Sequence, residues 1–97
     1  MNQLHFDLHQ LQQLCQQNDI SFLGLFGSHA REDASPESDV DLLVRFSKRK
    51  SLLDVIKIEE QFTKLLKKKV DLLTEPALSP YIKDRILAQL QTLYQYD

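Results

Sequence analysis

Apolar residues recur along this chain of 97 residues with two spacings, one typical of helices and one typical of strands. Segments with apolar residues three and four positions apart predict helices over Gln3–Asn18, over Leu52–Lys68, and from Pro80 through Leu93. Short apolar runs bounded by turn residues predict strands over Ile20–Phe26, Asp39–Phe46 and Val70–Thr74. The order of these elements predicts an α/β (α+β) fold, with a small mixed sheet of about three strands and helices packed around it.

Each predicted helix carries an apolar stripe that we expect to face the sheet. The stripe residues are Leu4, Leu8, Leu11 and Cys15 in the first helix; Val55, Ile58, Phe62, Leu65 and Leu66 in the second, with Ile56 beside them; and Ile82, Ile86, Leu90 and Leu93 in the last. The C-terminal part also carries more large side chains than a small core can absorb, namely Leu78, Tyr81, Tyr94 and Tyr96. We expect some of these four to form a partner surface; the alternative is that they cover the sheet.

Candidate chemistry is concentrated between the first two predicted strands. Gly27 and Ser28 directly follow an apolar run and precede a short Ala-Arg segment. Glycine permits close backbone approach to a phosphate, and the N–H groups of a following helical turn bind anions together with a serine hydroxyl. The alternative for an isolated Gly-Ser pair is an ordinary turn.

Two aspartates, Asp39 and Asp41, flank Val40 at the start of the second predicted strand. Residues two apart in a strand point to the same face, so we expect both carboxylates to project side by side. Their Cα atoms are then about 6–7 Å apart. At this separation two charges repel by about 2–3 kcal/mol at an effective dielectric constant of about 20, a cost that a bound divalent cation removes. Mg²⁺ prefers oxygen ligands, and a pair of such ions can hold both oxygens of an in-line displacement. The alternative is an edge strand whose solvated acids block aggregation.

The third predicted strand repeats the pattern of the second, since Val70-Asp71-Leu72-Leu73 matches Val40-Asp41-Leu42-Leu43. A short connection predicts that the first two strands are antiparallel, and a helical crossover predicts that the second and third are parallel. If the parallel strands are adjacent, Asp71 lies beside Asp41, at the sheet end that also carries the Gly-Ser turn. The alternative is that Asp71 only marks a strand entrance next to the lysines at positions 67–69.

Composition narrows the class of protein. The chain is 42% hydrophobic and 27% charged, with a net charge of −2, as in a globular domain. We expect one domain over residues 1–97, without the broad basic surface that direct nucleic-acid binding requires. Cys15 is the sole cysteine, the N-terminus has no basic and hydrophobic leader, and no apolar run is long enough to cross a membrane. We therefore expect a cytoplasmic protein.

Together these residues resemble a known family. Gly27-Ser28-x-Ala30-Arg31 followed by Ser38-Asp39-x-Asp41-Leu42 is similar to the Gly-Ser and D-x-D motif pair of the DNA polymerase beta-type nucleotidyltransferases, and most similar to the MNT-type minimal nucleotidyltransferases. The resemblance implies two Mg²⁺ ions and ATP as a substrate. It implies that the catalytic residues and metal ligands are Asp39, Asp41 and Asp71, and that the nucleotide-binding residues are Gly27, Ser28, Arg31 and Ser38. The chain departs from the family at Glu32, where glycine is common and where an acid adds negative charge near a triphosphate.

The resemblance also implies a function. The MNT-type family resembles antitoxins that transfer AMP from ATP to a tyrosine of a HEPN-domain ribonuclease toxin, so we expect a Mg²⁺-dependent protein adenylyltransferase whose partner is such a toxin. Two other functions stay open, namely a non-catalytic antitoxin that blocks its partner by occlusion and a transferase acting on a small-molecule hydroxyl group. The small-molecule transferase is disfavoured because larger relatives use a second domain to bind the base and the acceptor.

Overall fold

The structure, a computed structural model, describes residues 6–31, 35 and 37–96. Its elements are helix α1 (Leu8–Gln17), strands β1 (Ile20–Phe26) and β2 (Val40–Phe46), helix α2 (Leu52–Leu66), strand β3 (Val70–Thr74), a 3-10 turn (Glu75–Ala77), helix α3 (Pro80–Gln89) and strand β4 (Gln91–Gln95). The strands form one mixed sheet in the order β3-β2-β1-β4. The predicted mixed α/β class is therefore confirmed. No helix among the described residues combines the length and the apolarity needed to cross a membrane.

Strand pairing follows the predicted directions. Strand β1 is antiparallel to both β2 and β4, and β2 is parallel to β3. The short β1–β2 connection permits only an antiparallel pair, whereas the return from β2 to β3 passes through α2 and produces a parallel pair. These two pairings determine which residues meet at the end of the sheet where β1 ends and β2 and β3 begin.

Alternation along the strands gives the sheet two apolar faces. On one face, Leu11 of α1 and Phe62 of α2 pack with Leu23, Leu42 and other strand residues in the larger core cluster. On the other face, which we call the α3 face, a smaller cluster is formed by Phe26, Leu43, Leu78 and Ile86. Since Val40, Leu42 and Val44 belong to the larger cluster, the alternate residue Asp41 projects to the α3 face.

Helix α1 is shorter than predicted. Its N-cap is Asp7, whose carboxylate accepts hydrogen bonds from the N–H groups of His9 (2.9 Å) and Gln10 (3.2 Å). Because an N-cap residue lies outside the helix, the predicted start at Gln3 is wrong for Phe6 and Asp7, while Gln3 and Leu4 lie outside the described residues. Leu8, predicted to face the core, is 54% exposed in the first turn of the helix.

Helix α2 ends earlier than the sequence pattern suggests, at Leu66 instead of Lys68. Lys67 adopts a left-handed conformation with φ 58°, and this terminates the helix. Ser51 and Asp54 form a reciprocal capping box at the other end. Ile58, Phe62 and Leu66 are buried as predicted, whereas Ile56 is 43% exposed.

The C-terminal segment corrects the prediction most strongly. The predicted stripe of the last helix included Leu90 and Leu93, but α3 ends at Gln89 and Leu90 has an extended backbone. Residues Gln91–Gln95 form β4, so the sheet has four strands where about three were predicted. Pairing with β4 satisfies backbone groups of β1 that an edge strand would leave exposed, which outweighs the continuation of a weak helical stripe.

Candidate active site

Two carboxylates meet across the parallel pair of strands. Asp41 of β2 is in register with Asp71 of β3, and Val40 is in register with Val70. The Val40 N–H donates to the Lys69 carbonyl at 2.9 Å, which fixes this alignment at the strand entrance. Register neighbours on adjacent strands have Cα atoms about 4.8 Å apart and side chains on the same face. The predicted adjacency of Asp41 and Asp71 is therefore present in the structure.

Electrostatics single out Asp41. Its carboxyl group is half-buried, and its pKa is raised above the ordinary value by burial first, then by the charges of Asp71 and Asp39. His29 and Arg31 act in the opposite direction and favour the ionised form. Desolvation and like charges both disfavour a carboxylate, so Asp41 is a group that a cation would stabilise.

Asp39 lies just before β2 and is half-exposed. Its carboxylate is 3.9 Å from the Lys69 ammonium group, and both side chains contact solvent extensively. An ion pair of this length at the surface contributes little to stability, so the lysine leaves Asp39 available to another cation.

The turn over residues 27–31, which we call the Gly27 turn, directly follows β1 and lies over Asp41. Gly27 has φ +78°, a left-handed conformation, and a Cβ atom there would collide with the Asp41 carboxylate. The N–H groups of Ala30 and Arg31 both donate to the Gly27 carbonyl at 3.1 Å, which closes one tight turn around Ser28 and His29. Glycine is therefore required at this position by both its backbone conformation and its closeness to the acid.

His29 connects this turn to the segment before β2. Its side chain is 7% exposed, and Nε2 lies 3.3 Å from the Ser38 carbonyl, to which it donates when protonated. Its Nδ1 atom is buried and has no hydrogen-bond partner among the described residues. Ser38 is itself fixed by Ser35, whose N–H donates to the Ser38 hydroxyl at 2.9 Å. The predicted nucleotide-binding residue Ser38 is thus held beside the Gly27 turn.

Arg31, the fourth predicted nucleotide-binding residue, is exposed, and its guanidinium reaches the end of α3. Its Nη1 atom donates to Gln89 Oε1 at 3.3 Å, and the Gly27 N–H donates to the same oxygen at 3.3 Å. Gln91 Nε2 donates to the Ala30 carbonyl at 2.8 Å. The corner between α3 and β4 therefore lies against the Gly27 turn.

The residues present fit Mg²⁺ in their chemistry, since Asp39, Asp41 and Asp71 offer the oxygen ligands that this ion prefers. The raised pKa of Asp41 results partly from unneutralised neighbouring acids. Within the described part of the chain, no three Asp, Glu, His or Cys side chains are already placed to hold one ion. Mg²⁺ commonly binds one or two carboxylates and completes its shell with substrate phosphates, so such a preformed cage is not needed.

A cavity of about 410 Å³ lies elsewhere, at the opposite end of β2 and β3. Its lining includes Val44, Arg45, Phe46, Thr74 and Glu75. Arg45 and Glu75 form an ion pair there, with Arg45 Nε 2.9 Å from the Glu75 carboxylate. This cavity is separated from Asp41 and Asp71 by the length of the strands and is not part of the candidate site.

Comparison with known proteins assigns the chain to a family. The family model described as polymerase beta nucleotidyltransferase matches residues 9–97. The chain belongs to this nucleotidyltransferase family. A relative from Thermococcus cleftensis named protein adenylyltransferase MntA is 40% identical to this nucleotidyltransferase over 68 residues, which cover 70% of this chain and 69% of the relative.

Solved structures share the fold of the nucleotidyltransferase. A toxin–antitoxin crystal structure with AMP-PNP has a TM-score of 0.78 at 18% identity, covering 94% of this chain and 75% of the other. A tri-AMPylated Shewanella oneidensis HEPN toxin in complex with its MNT antitoxin gives a TM-score of 0.68 at 18% identity, covering 92% and 70% of the two chains. The predicted membership of the minimal nucleotidyltransferase family and the predicted enzyme class are thereby confirmed.

The structure brings the predicted site residues together at one end of the sheet, while their individual roles stay predictions. Sequence reasoning missed the contacts that His29, Gln89 and Gln91 make around the Gly27 turn. His29 is buried between two predicted phosphate-binding residues, Ser28 and Arg31, but no apolar periodicity in the sequence indicates that this position is buried. The two glutamines were hidden because β4 was assigned to the last helix.

Proposed function

We propose that this nucleotidyltransferase transfers AMP from ATP to a tyrosine of a HEPN-domain toxin and acts as the antitoxin of that toxin. The observation that carries the proposal is the register of Asp41 with Asp71 beneath Gly27, on the α3 face. This arrangement puts paired acids directly beside a turn with donor groups, which is the combination that nucleotide chemistry requires.

The comparisons support the choice of acceptor. A relative that shares 40% identity carries the name protein adenylyltransferase MntA. Chains with the same fold occur in a toxin–antitoxin structure with AMP-PNP and in a complex with a tri-AMPylated HEPN toxin. A protein acceptor is therefore favoured over a small molecule, and a HEPN-domain protein is the partner that we propose.

We assign the triphosphate to the Gly27 turn. The Gly27 N–H, the Ser28 hydroxyl and the Arg31 guanidinium are the proposed donors to phosphate oxygens, and Ser38 closes the site from the β2 side. Hydrogen bonds from a charged guanidinium to phosphate are short and strong. The same turn then holds the α-phosphate near Asp41, because Gly27 directly overlies that carboxylate.

In the proposed reaction the tyrosine oxygen attacks the α-phosphorus. The new O–P bond forms as the bond to pyrophosphate breaks, and the phenolic proton passes to Asp71, the proposed base. Asp39 and Asp41 are the proposed Mg²⁺ ligands, with Asp71 as the third. Bound Mg²⁺, which we expect as two ions, supplies charge neutralisation of the triphosphate and lowers the pKa of the attacking hydroxyl. The contribution of the chain itself is orientation of ATP by the Gly27 turn and proton transfer by the strand acids.

Two other functions make different predictions. A non-catalytic antitoxin would bind its HEPN-domain partner and leave no AMP on it. A small-molecule transferase would label an added hydroxyl compound and ignore the protein partner. Both keep the same fold, so only a measurement of the product separates them.

The test is incubation with ATP labelled at the α-phosphate, Mg²⁺ and a purified HEPN-domain partner. We expect label on the partner with the wild-type chain and none with Asp41→Asn. Glu60→Gln removes one acid from the exposed surface of α2, on the opposite face of the sheet, and should leave labelling intact, which controls for net charge. A stable complex without label would contradict transfer and support occlusion instead.

A further inference from the structure

The carboxamide of Gln89 occupies a position where two donors of the Gly27 turn converge. Gln89 Oε1 accepts from the Gly27 N–H and from Arg31 Nη1, each at 3.3 Å. Gln89 is the last residue of α3 and is half-buried. One neutral oxygen therefore satisfies a backbone donor and a guanidinium donor that we have assigned to the triphosphate.

Gln91, two residues further on, makes a contact of a different kind. Its Nε2 atom donates to the Ala30 carbonyl at 2.8 Å, so it fastens the same corner to the turn through an acceptor. An ionised triphosphate cannot form a hydrogen bond with that carbonyl, because phosphate oxygens, like the carbonyl oxygen, accept hydrogen bonds and do not donate them. Gln91 therefore provides a matched control for Gln89.

We propose that Gln89 is a placeholder whose Oε1 atom holds the position of a triphosphate oxygen until the nucleotide binds. This inference rests on the proposed function and adds a residue that the sequence motifs do not contain. Both bonds to Gln89 lie at the long end of the hydrogen-bond range. A phosphate oxygen carries negative charge and would bind the same donors by shorter and stronger bonds, so the nucleotide displaces the amide.

The placeholder role and a supporting role predict opposite changes in ATP affinity when the Gln89 side chain is removed. If Gln89 only orients Arg31 for the nucleotide, its removal weakens ATP binding. If Gln89 competes with a phosphate oxygen, its removal tightens ATP binding, since two donors no longer need to exchange partners. A carboxylate at this position would pair with Arg31 by charge and would repel the triphosphate, and therefore should weaken binding strongly.

The experiment measures the dissociation constant of Mg²⁺-ATP by calorimetry for the full chain and for four variants. We expect binding about 2- to 10-fold tighter for Gln89→Ala and for Gln89→Met, which keeps the side-chain length without the acceptor. Gln89→Glu should bind at least about 10-fold more weakly. Gln91→Ala should stay within about 2-fold of wild type. Inorganic tripolyphosphate should show the same order of affinities, because the inference concerns phosphate oxygens only.

Two failures can be distinguished. If the wild-type chain binds neither Mg²⁺-ATP nor tripolyphosphate, the proposed function fails, and the inference fails with it. If the wild type binds and both Gln89→Ala and Gln89→Met bind equally or more weakly, only the placeholder role is overturned. Thermal unfolding of each variant shows whether it is folded, and Gln89→Met decides the sign if Gln89→Ala is not.

Discussion

Asp41 is the residue at which chemistry and stability oppose each other. Burial and the charges of Asp71 and Asp39 raise its pKa above the ordinary value. A carboxyl group whose pKa is higher in the folded than in the unfolded state destabilises the fold when it is ionised. The cost appears as the pH rises above the unfolded-state pKa and is complete above the folded-state pKa. At neutral pH the protein without nucleotide therefore carries a penalty from the acid that the proposed reaction requires.

The first prediction follows from this penalty. Asp41→Asn should increase the free energy of unfolding at neutral pH by about 1 kcal/mol or less, since solvent screens a half-buried group, and it should abolish AMP transfer. The gain should shrink as the pH falls toward the ordinary aspartate pKa of about 4 and vanish below it, because the wild-type carboxyl group then becomes neutral in both the folded and the unfolded state. Urea unfolding in EDTA across this pH range measures the difference. A variant no more stable than wild type at pH 7 would show that Asp41 carries no such penalty.

Asp19 provides the opposite case in the turn between α1 and β1. Its hydrogen bond to Lys50 (2.9 Å) and the charge of Lys48 hold its pKa below the ordinary value. A lowered pKa means that the ionised group stabilises the fold above its unfolded-state pKa, and that this contribution is lost as the pH falls through the folded-state pKa. The backbone of Asp19 has φ 58°, which asparagine also tolerates.

The second prediction is therefore that Asp19→Asn slightly lowers the free energy of unfolding at pH 7. The difference from wild type should shrink as the pH falls below the ordinary aspartate pKa and should vanish below the lower folded-state pKa, because the wild-type carboxylate is then neutral as well. The same pH series used for Asp41→Asn measures both variants. The two substitutions should change stability in opposite directions at pH 7, and a shift of the same sign in both would refute the electrostatic account.

At the scale of elements, the sequence predicted well those strands whose signals are local. Ile20–Phe26 and Val70–Thr74 have the predicted bounds, because each is a short apolar run closed by turn residues. Strand Gln91–Gln95 was missed because its polar residues give no strong alternation, while Leu90 and Leu93 continue the spacing of the helix before it. What makes it a strand is pairing with β1, a long-range interaction that no local pattern contains. The contacts of Gln89 and Gln91 with the Gly27 turn became visible only through that pairing.

The third prediction concerns the packing that holds the α3–β4 corner on β1. A Cβ atom at Gly24 would lie 2.5 Å from Leu90 Cδ1 and 2.8 Å from Leu90 Cγ. Gly24→Ala should therefore destabilise the fold by about 1–3 kcal/mol through overpacking. In a double-mutant cycle, Leu90→Ala should cost at least about 0.5 kcal/mol less in the Gly24→Ala background than in wild type, because it removes the clash. Urea unfolding of the four proteins measures this coupling, and additive effects would mean that Leu90 does not limit the space at Gly24.

For the whole molecule, the two faces of the sheet have separate tasks. Helices α1 and α2 bury the larger core cluster on one face, whereas the α3 face carries the smaller cluster and Asp41. In the proposed reaction, a protein acceptor therefore presents its tyrosine from the α3 side. Tyr81 in the first turn of α3 is 92% exposed, and it lies eight positions before Gln89 in the same helix, a distance of about 12 Å along the axis. The predicted partner surface thus has an exposed aromatic residue within reach of the site, while Tyr94 packs against the core.

The last prediction tests which face the partner contacts. Tyr81→Ser should leave the free energy of unfolding within about 0.5 kcal/mol of wild type, because an exposed side chain loses little on truncation. It should weaken binding of the HEPN-domain partner at least about 10-fold if Tyr81 is one of the few aromatic residues that dominate an interface.

Leu52→Ser is the matched control, since Leu52 is 76% exposed at the start of α2, the helix that packs on the opposite face. Titration of the partner into each variant measures the affinities. Weaker binding for Leu52→Ser with unchanged binding for Tyr81→Ser would place the partner on the α2 side, where its tyrosine could not approach Asp41 from the α3 face.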